Sequence, residues 1–383
     1  MMVLFFSLLS GLYFLLLLWL YFHWTRIATF EPTDSPNASF PFLTIVVPVR
    51  NESATIGVLL QDLAEQIDKK RIPLSYEVIV MDDHSTDDTA TIVGDFLRAS
   101  PYPLRLLSVE VPPNFEGSHK KLALRQAIDQ SQGEVIVTTD GDCRVEKYWL
   151  SAISHFFTRY QPVLLAGPVT FHHEESLFDC LQTVEFASLI GTGAACLRAG
   201  HPTMCNGANL AFSRAAFYQV GGYEGSLHIP SGDDEFLLQK MARRYPGRLA
   251  FLRQPEATVR THAKRSALAF YHQRKRWASK WKLHDNYHVA VLAIFIFVYH
   301  LTTLLVGVLV LAGKYPGVVF LIQLLPKMLL EYVFLKSVLR SMKKSLSLLH
   351  FLLMQLIYAP YAIFFGLGAN FGGYTWKNRA YPR

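Results

Sequence analysis

The chain has 383 residues, 51% of them hydrophobic, a formal charge of +7 and a mean hydropathy of +0.21. That balance leaves room for two domains but implies that part of the chain is solvated by lipid, so the water-soluble portion is smaller than the length suggests. The positive excess suits anionic head groups or a phosphorylated ligand, and with no dense Lys/Arg run the sequence argues against a nucleic-acid partner.

Met1 to Phe22 contains no Asp, Glu, Lys or Arg. At ~1.5 Å rise per residue, such a run can cross a hydrocarbon core of roughly 30 Å. It lacks the basic leading region and small-residue cleavage pattern of a signal peptide, so residues 1–24 read as a membrane anchor. A polar linker rich in turn formers, including Pro32, Asp34, Pro36 and Asn37, follows over 25–41.

From Phe42 the pattern changes. Short apolar runs at 42–48, 76–81, 104–109 and 134–138 alternate with helical periodicity at 53–67, 87–97 and 120–131. Strands alternating with helices imply right-handed crossovers and a mainly parallel, Rossmann-like sheet covered on both faces, so the fold class is α/β. No repeat and no Gly- or Pro-rich linker divides residues 42–287, which read as one domain.

The last third returns to lipid. Residues 289–312 and 346–371 are free of acidic and basic side chains apart from His300 and His350, while 316–335 carries Lys327 and Glu331, four apart and able to pair on one helical face. Lys336, Arg340, Lys343 and Lys344 follow, and the positive-inside rule puts that loop in the cytoplasm together with 42–287. Residues 288–371 thus hold two to three membrane segments. Four crossings in all would carry Lys377, Arg379 and Arg383 of the 372–383 tail to the opposite side, which the same rule disfavours. A re-entrant or interfacial C-terminal segment is the alternative.

Cys143, Cys180, Cys196 and Cys205 form no close CxxC pair and read as reduced, small hydrophobes.

The polar signatures follow the strands, where ligands of such sheets bind. Asp140-Gly141-Asp142 ends the run 134–138 and offers two hard carboxylates, with a glycine between them that permits a tight turn, as Mg²⁺ or Mn²⁺ bridging a diphosphate requires. An acidic strand-end turn looks the same in isolation. A phosphatase of the haloacid dehalogenase type wants Thr or Val two residues after the second Asp, where this chain has Arg144. Asp82-Asp83-His84-Ser85 ends another strand, and there the bland reading is a helix N-cap at Ser85. Gly232-Asp233-Asp234-Glu235 opens a helix, where acids also favour the dipole. Gln273 and Trp277 of Gln273-Arg274-Lys275-Arg276-Trp277 share a helical face with Trp281, and this basic-aromatic helix suits a membrane surface immediately before 289–312.

With these segments on the page, residues 43 to 277 resemble the family 2 glycosyltransferases, especially membrane-bound members such as cellulose, chitin and hyaluronan synthases. The resemblance implies a GT-A fold. It implies that Pro48, Glu52, Asp82 and Asp83 contact the base or ribose of a nucleotide-sugar, that Lys120 helps hold phosphate, and that Asp140 and Asp142 bind the diphosphate through Mg²⁺ or Mn²⁺. Cys205 to Phe212, with Asn206, Gly207 and Asn209, is similar to the family segment lining the acceptor side. Asp234 takes the position of the general base, with Asp233 beside it. Gln273, Arg276 and Trp277 fit a QxxRW pattern whose arginine faces the diphosphate and whose tryptophan stacks on acceptor sugar. In similar synthases a helix like 176–197 lies along the membrane face, although a core helix reads equally well. The implied activity is inverting transfer, from a UDP-sugar in the first instance, to a lipid-linked or polysaccharide acceptor. The implied setting is a bacterial inner membrane. A single-addition lipid or polyprenyl-phosphate transferase and a non-catalytic nucleotide-sugar-binding scaffold are the alternatives.

Overall fold

The computed structural model describes residues 1–29, 39–66, 74–278, 287–368, 374–376 and 379–381. Most of the 25–41 linker, Trp281, Lys377 and Arg383 lie outside these. In chain order the elements begin with α1 (Met2–Thr25), β1 (Leu43–Val49), α2 (Ile56–Ala64), β2 (Tyr76–Asp82), α3 (Thr89–Leu97), β3 (Leu104–Ser108), α4 (His119–Asp129) and β4 (Val135–Thr138). There follow α5 (Trp149–Tyr160), β5 (Leu164–Ala166), β6 (Val169–Phe171), α6 (Leu177–Arg198), β7 (Leu210–Ser213), α7 (Arg214–Gln219), α8 (Asp233–Arg244), β8 (Leu249–Phe251) and β9 (Val259–Thr261). The chain ends with α9 (Ala267–Ala278), α10 (Tyr287–Leu311), α11 (Gly317–Ser341), α12 (Leu348–Gly368), β10 (Tyr374–Trp376) and β11 (Arg379–Tyr381).

These elements form two compact units, one of residues 27–173 and 197–262, the other of 1–26, 174–196 and 263–383. The first is the α/β unit expected from the alternating pattern. Its seven-stranded sheet runs β3-β2-β1-β4-β7-β5-β8 and is parallel except for β7, which is antiparallel to both neighbours. The central β1 and β4 are apolar and buried because helices cover both sheet faces. Pairing of β1 with β4 stops at Val46, two residues before Pro48, whose missing N–H would interrupt a longer ladder. β1 and β4 therefore separate at their carboxyl ends, where the Asp140-Gly141-Asp142 turn follows. All four cysteines are free.

The second unit holds the membrane helices. Among the described residues five helices are long and apolar enough to cross a bilayer: α1, α6, α10, α11 and α12. α1 and α11 run parallel, with Gln323 donating to Ser7, Tyr13 to Glu331 and Trp24 to Ser337. Tyr13 stacks on Tyr299 of α10 with ring centroids 3.8 Å apart. Lys327 and Glu331 pair at 2.7 Å, as their spacing predicts, and Gln355 of α12 hydrogen-bonds both.

α6 and α12 depart from simple crossings. Both ends of α6 continue into the α/β unit, and two sites two turns apart on it, Val184 and Gly191, meet the single stretch Phe334–Val338 near the end of α11. α6 thus lies across α11. α12 begins just after Lys344, which pairs with Glu174 at 2.9 Å. It ends with Phe364 and Phe365 against Tyr271 and Phe270 of α9, and β10 lies beside α9 as well. Glu174 and α9 adjoin along the chain the residues where the α/β unit leaves off, His173 and His262. α12 carries Pro360 inside it.

Candidate active site

At the carboxyl ends of β1, β2 and β4 the chain brings together residues from four separated segments. Asp140 and Cys143 close a turn through Cys143 N–H to Asp140 C=O, 3.1 Å. Gly141 sits so close to β1 that a Cβ there would meet Val49 Cγ1 at 2.8 Å and Glu52 Cγ at 3.1 Å. Only glycine lets the two-carboxylate turn fold against Glu52 in this way.

Lys120, in the first turn of α4, joins this turn to the acids of α8. Its Nζ lies 2.7 Å from Asp140 Oδ1 and 3.4 Å from Asp233 Oδ2. Burial opposes the ammonium charge, but the carboxylates of Asp140, Asp233 and Asp234 outweigh it and hold the pKa above the ordinary lysine range. Burial, followed by the charges of Asp233 and Asp234, pushes the Tyr223 phenol upward.

Asp234 is held from a different direction. The Gly207 N–H donates to Asp234 Oδ2 at 3.0 Å, and Thr138 Oγ1, at the end of β4, donates to Gly207 C=O at 2.6 Å. A Cβ on Gly207 would stand 2.9 Å from Asp233 Oδ2. A side chain on this loop would therefore have to displace the Asp233 carboxylate. Asn206 caps the turn by accepting from Ala208 N–H at 2.9 Å. Asn209, expected on the acceptor side, is instead an internal strut. It is 3% exposed, accepts from Trp149 Nε1 and donates to the Pro168 and Ala257 carbonyls. Its amide is fully spent inside the fold.

Asp82 and Asp83 face β1 and α4 and are nearly buried. Asp82 accepts from the backbone and hydroxyl of Ser85, which is therefore not a helix cap; α3 starts later, at Thr89. Asp83 pairs with His119 Nδ1 at 3.0 Å, and its backbone N–H joins Val49 C=O at 2.9 Å. Both carboxylates brace the loop between β2 and α3, whatever else they hold.

Sequence reasoning missed Lys121. Its fully buried ammonium donates to the Ser226 and Ile229 carbonyls at 2.7 and 3.1 Å and sits 4.7 Å from the Phe236 ring. Ser118 adds backbone and hydroxyl bonds to Leu227 and Pro230. α4 thus positions the loop that feeds α8, while the adjacent Lys120 reaches the acids of α8.

Gln273, Arg276 and Trp277 belong to the other unit. Gln273 accepts from Arg274, and Trp277 stacks on Phe186 with centroids 5.8 Å apart. The buried cation of this motif is Arg274, which grips both oxygens of Glu185, lies 4.3 Å from the Trp277 ring and was not singled out by the pattern.

Among the described residues no group of three or more His, Cys, Asp or Glu side chains encloses an ion. A hard divalent ion that fills most of its shell with phosphate oxygens and water needs only one or two carboxylates. Asp140 and Asp142 meet that need, Asp142 making only a weak contact with Cys143 Sγ at 3.7 Å. The donor set fits Mg²⁺ or Mn²⁺.

A parallel α/β sheet carrying paired acids beyond its strand ends, on a chain that also enters the bilayer, defines a membrane-bound GT-A enzyme. The chain belongs to the family 2 glycosyltransferases: the profile described as glycosyl transferase family 2 matches residues 44–221, and that of glycosyl transferase family group 2 matches 135–369. It is 26% identical over 222 residues to poly-beta-1,6-N-acetyl-D-glucosamine synthase of Staphylococcus aureus, covering 54% of this chain and 49% of that protein. It is 29% identical over 143 residues to dodecaprenyl-phosphate galacturonate synthase of Rhizobium johnstonii, covering 37% and 40%. The chain spans between about a third and a half of the length of the curated relatives it matches. Among solved structures, the mannosyltransferase PcManGT of Pyrobaculum calidifontis, in complex with GDP-Man and Mn²⁺, aligns over 96% of both chains with a TM-score of 0.55 and 18% identity. That likeness establishes the shared fold.

Proposed function

We propose that this glycosyltransferase moves a sugar from a nucleotide diphosphate, a UDP-sugar in the first instance, to a hydroxyl of a lipid-linked or polysaccharide acceptor, with inversion at the anomeric carbon. The observation that carries the reading is the cluster in which Lys120 bridges Asp140 and Asp233 while Gly207 N–H holds Asp234. The names of the two curated relatives, a polysaccharide synthase and a polyprenyl-phosphate glycosyl synthase, support the acceptor class.

An acceptor hydroxyl is a poor nucleophile until its proton begins to leave. Asp234 accepts that proton, and a positioned carboxylate contributes ~10²- to 10⁴-fold in such a role. The Gly207 N–H fixes the side chain through one of its oxygens. Mg²⁺ or Mn²⁺ held by Asp142 and Asp140 would neutralise the departing diphosphate. Lys120 keeps Asp140 and Asp233 together as like charges and adds positive potential for phosphate. Pro48, Glu52, Asp82 and Asp83 wall the nucleoside end. Gln273, Arg276 and Trp277 receive the acceptor sugar, and the whole chain works from the cytoplasmic face of an inner membrane.

The decisive experiment presents detergent-solubilised protein with labelled UDP-, GDP- and dTDP-sugars plus membrane extract. The reading expects one donor to yield a labelled lipid-linked or polymeric product. Donor binding with neither transfer nor hydrolysis under all three would identify a scaffold instead. Product length separates a polymerising enzyme from a single-addition one, which the small number of crossings favours.

A further inference from the structure

Within the membrane unit, α11 ends in a cluster of cations that the fold leaves uncommitted. Measured from Gly317, Lys336 and Arg340 stand roughly 29 and 35 Å along the helix at ~1.5 Å per residue, at and just beyond the edge of a hydrocarbon core of roughly 30 Å. Four residues apart, they share one helical face, and both are exposed. Trp24 Nε1 donates to Ser337 Oγ at 2.9 Å, so the end of α1 is level with this stretch, and Lys336 Nζ lies 5.5 Å from the Tyr332 ring. Tryptophan and tyrosine at this level mark a head-group boundary.

Two backbone bonds close the helix: Lys343 N–H to Arg340 C=O at 3.2 Å and Lys344 N–H to Leu339 C=O at 2.9 Å. That closure needs a left-handed residue at the turn, and Lys343 takes it, with φ 58°. Glycine is the usual occupant, because a Cβ there crowds the following carbonyl. This chain places a lysine at the position instead, with its side chain exposed. A helix C-terminus attracts cations, and the positive-inside rule favours lysine in this loop. A lysine at Ser341 or Ser345 would satisfy both without the strain.

The charges and their apolar flanks set the ligand class. Lys344 is paired with Glu174 at 2.9 Å, whereas Lys336, Arg340 and Lys343 have no carboxylate partner among the described residues. Three such cations at head-group depth attract a phosphodiester. Val333, one turn before Lys336, and Leu348 and Leu349, just after the turn, are exposed and offer acyl chains a surface that a free phosphate would not use.

We propose that the end of α11 and the turn after it bind an anionic phospholipid, its phosphodiester held among Lys336, Arg340 and Lys343. The inference concerns lipid binding and does not need the transfer reaction.

The test uses the full-length protein, delipidated in neutral detergent and without any sugar donor, so its failure leaves the transferase reading untouched. The protein is titrated with phosphatidylglycerol and with phosphatidylcholine of the same acyl chains, and bound lipid is counted by native mass spectrometry. Phosphatidylglycerol should occupy a site that phosphatidylcholine does not fill. Lys336→Gln, Arg340→Gln and Lys343→Gln should each weaken it roughly fivefold, the equivalent of about 1 kcal/mol, and the three together should abolish it. Lys314→Gln, before the opposite end of α11, should leave it unchanged. Lys343→Gly separates lipid binding from helix capping: its thermal midpoint without lipid should equal or exceed that of the wild type, while phosphatidylglycerol binds as weakly as to Lys343→Gln. Equal binding of the two lipids, wild-type affinity in the folded triple variant or in Lys343→Gly, or displacement of the lipid by an equal concentration of inorganic phosphate overturns the proposal.

Discussion

Lys120 Nζ sits 2.7 Å from Asp140 Oδ1, and through that contact the strand-end turn after β4 is tied to the helix that begins at Asp233. Against the opposing effect of burial, the carboxylates around the lysine raise its pKa above the ordinary lysine range, so it carries its charge at neutral pH. Lys120→Met leaves three carboxylates facing one another without a cation. Steady-state kinetics should show kcat/KM lower by ~10²- to 10³-fold, the scale seen when one preorganised electrostatic group is removed. Circular dichroism should be unchanged, and an undiminished rate would assign Lys120 a surface role.

The buried pair of Arg274 and Glu185 makes a different kind of statement, about stability of the membrane unit. Both side chains are nearly inaccessible, and Tyr361 adds a hydrogen bond of 2.8 Å to Glu185. Removing one partner strands a buried charge, at a cost of about 3–5 kcal/mol, whereas replacing both with apolar groups costs less or nothing. Thermal unfolding in detergent should therefore rank Arg274→Met and Glu185→Leu well below the double variant. Equal losses in all three would mean that the pair is dispensable.

Asp87 supplies the pH dependence. Its carboxylate accepts from Ser53 N–H and from the backbone and hydroxyl of Thr89. Asp87 is exposed and the slight desolvation there opposes the charge, but these hydrogen bonds prevail and hold the pKa below the ordinary 3.8, with an effect on stability reduced by solvent screening. A depressed folded-state pKa contributes stability that is present above 3.8 and lost as pH falls through the folded value. Asp87→Asn should thus be less stable than wild type at neutral pH, with the gap narrowing in acid. Denaturant unfolding at a series of pH values checks this, and a gap that widens in acid contradicts it.

Contacts of Phe365 in α12 and of β10 with α9 suit the re-entrant alternative raised by the charges of the tail. A C-terminal tag should be proteolysed from the same side as the catalytic unit in sealed vesicles. A cysteine introduced at Lys314, exposed between α10 and α11, should be labelled only from the other side. Tag and catalytic unit on opposite sides would restore α12 as a crossing.

Much of this arrangement was legible in local pattern. Apolar runs marked the central strands, and the four-residue spacing of Lys327 and Glu331 announced their pairing. The glycine within Asp140-Gly141-Asp142 announced a tight turn. What escaped was non-local. Lys121, His119 and Arg274 are single residues of common type whose partners, Ser226, Asp83 and Glu185, lie far away in the sequence, so no periodicity signals them. The partners of Asn209 were equally invisible, because a loop of small polar residues looks alike in sequence whatever its amide meets, here two carbonyls and an indole. Hydropathy found α12 but reports only the solvent of a helix, not whether its far end returns.

The most direct measurement concerns Asp234. Asn in its place keeps the shape and still accepts from Gly207 N–H through its carbonyl oxygen, but it cannot take a proton from the acceptor. Calorimetric titration of the nucleotide-sugar in the presence of Mn²⁺, alongside a transfer assay, should give wild-type donor affinity with turnover reduced by ~10²-fold or more. Turnover equal to wild type in Asp234→Asn would contradict the assignment of the base and, with it, the catalytic meaning of the cluster.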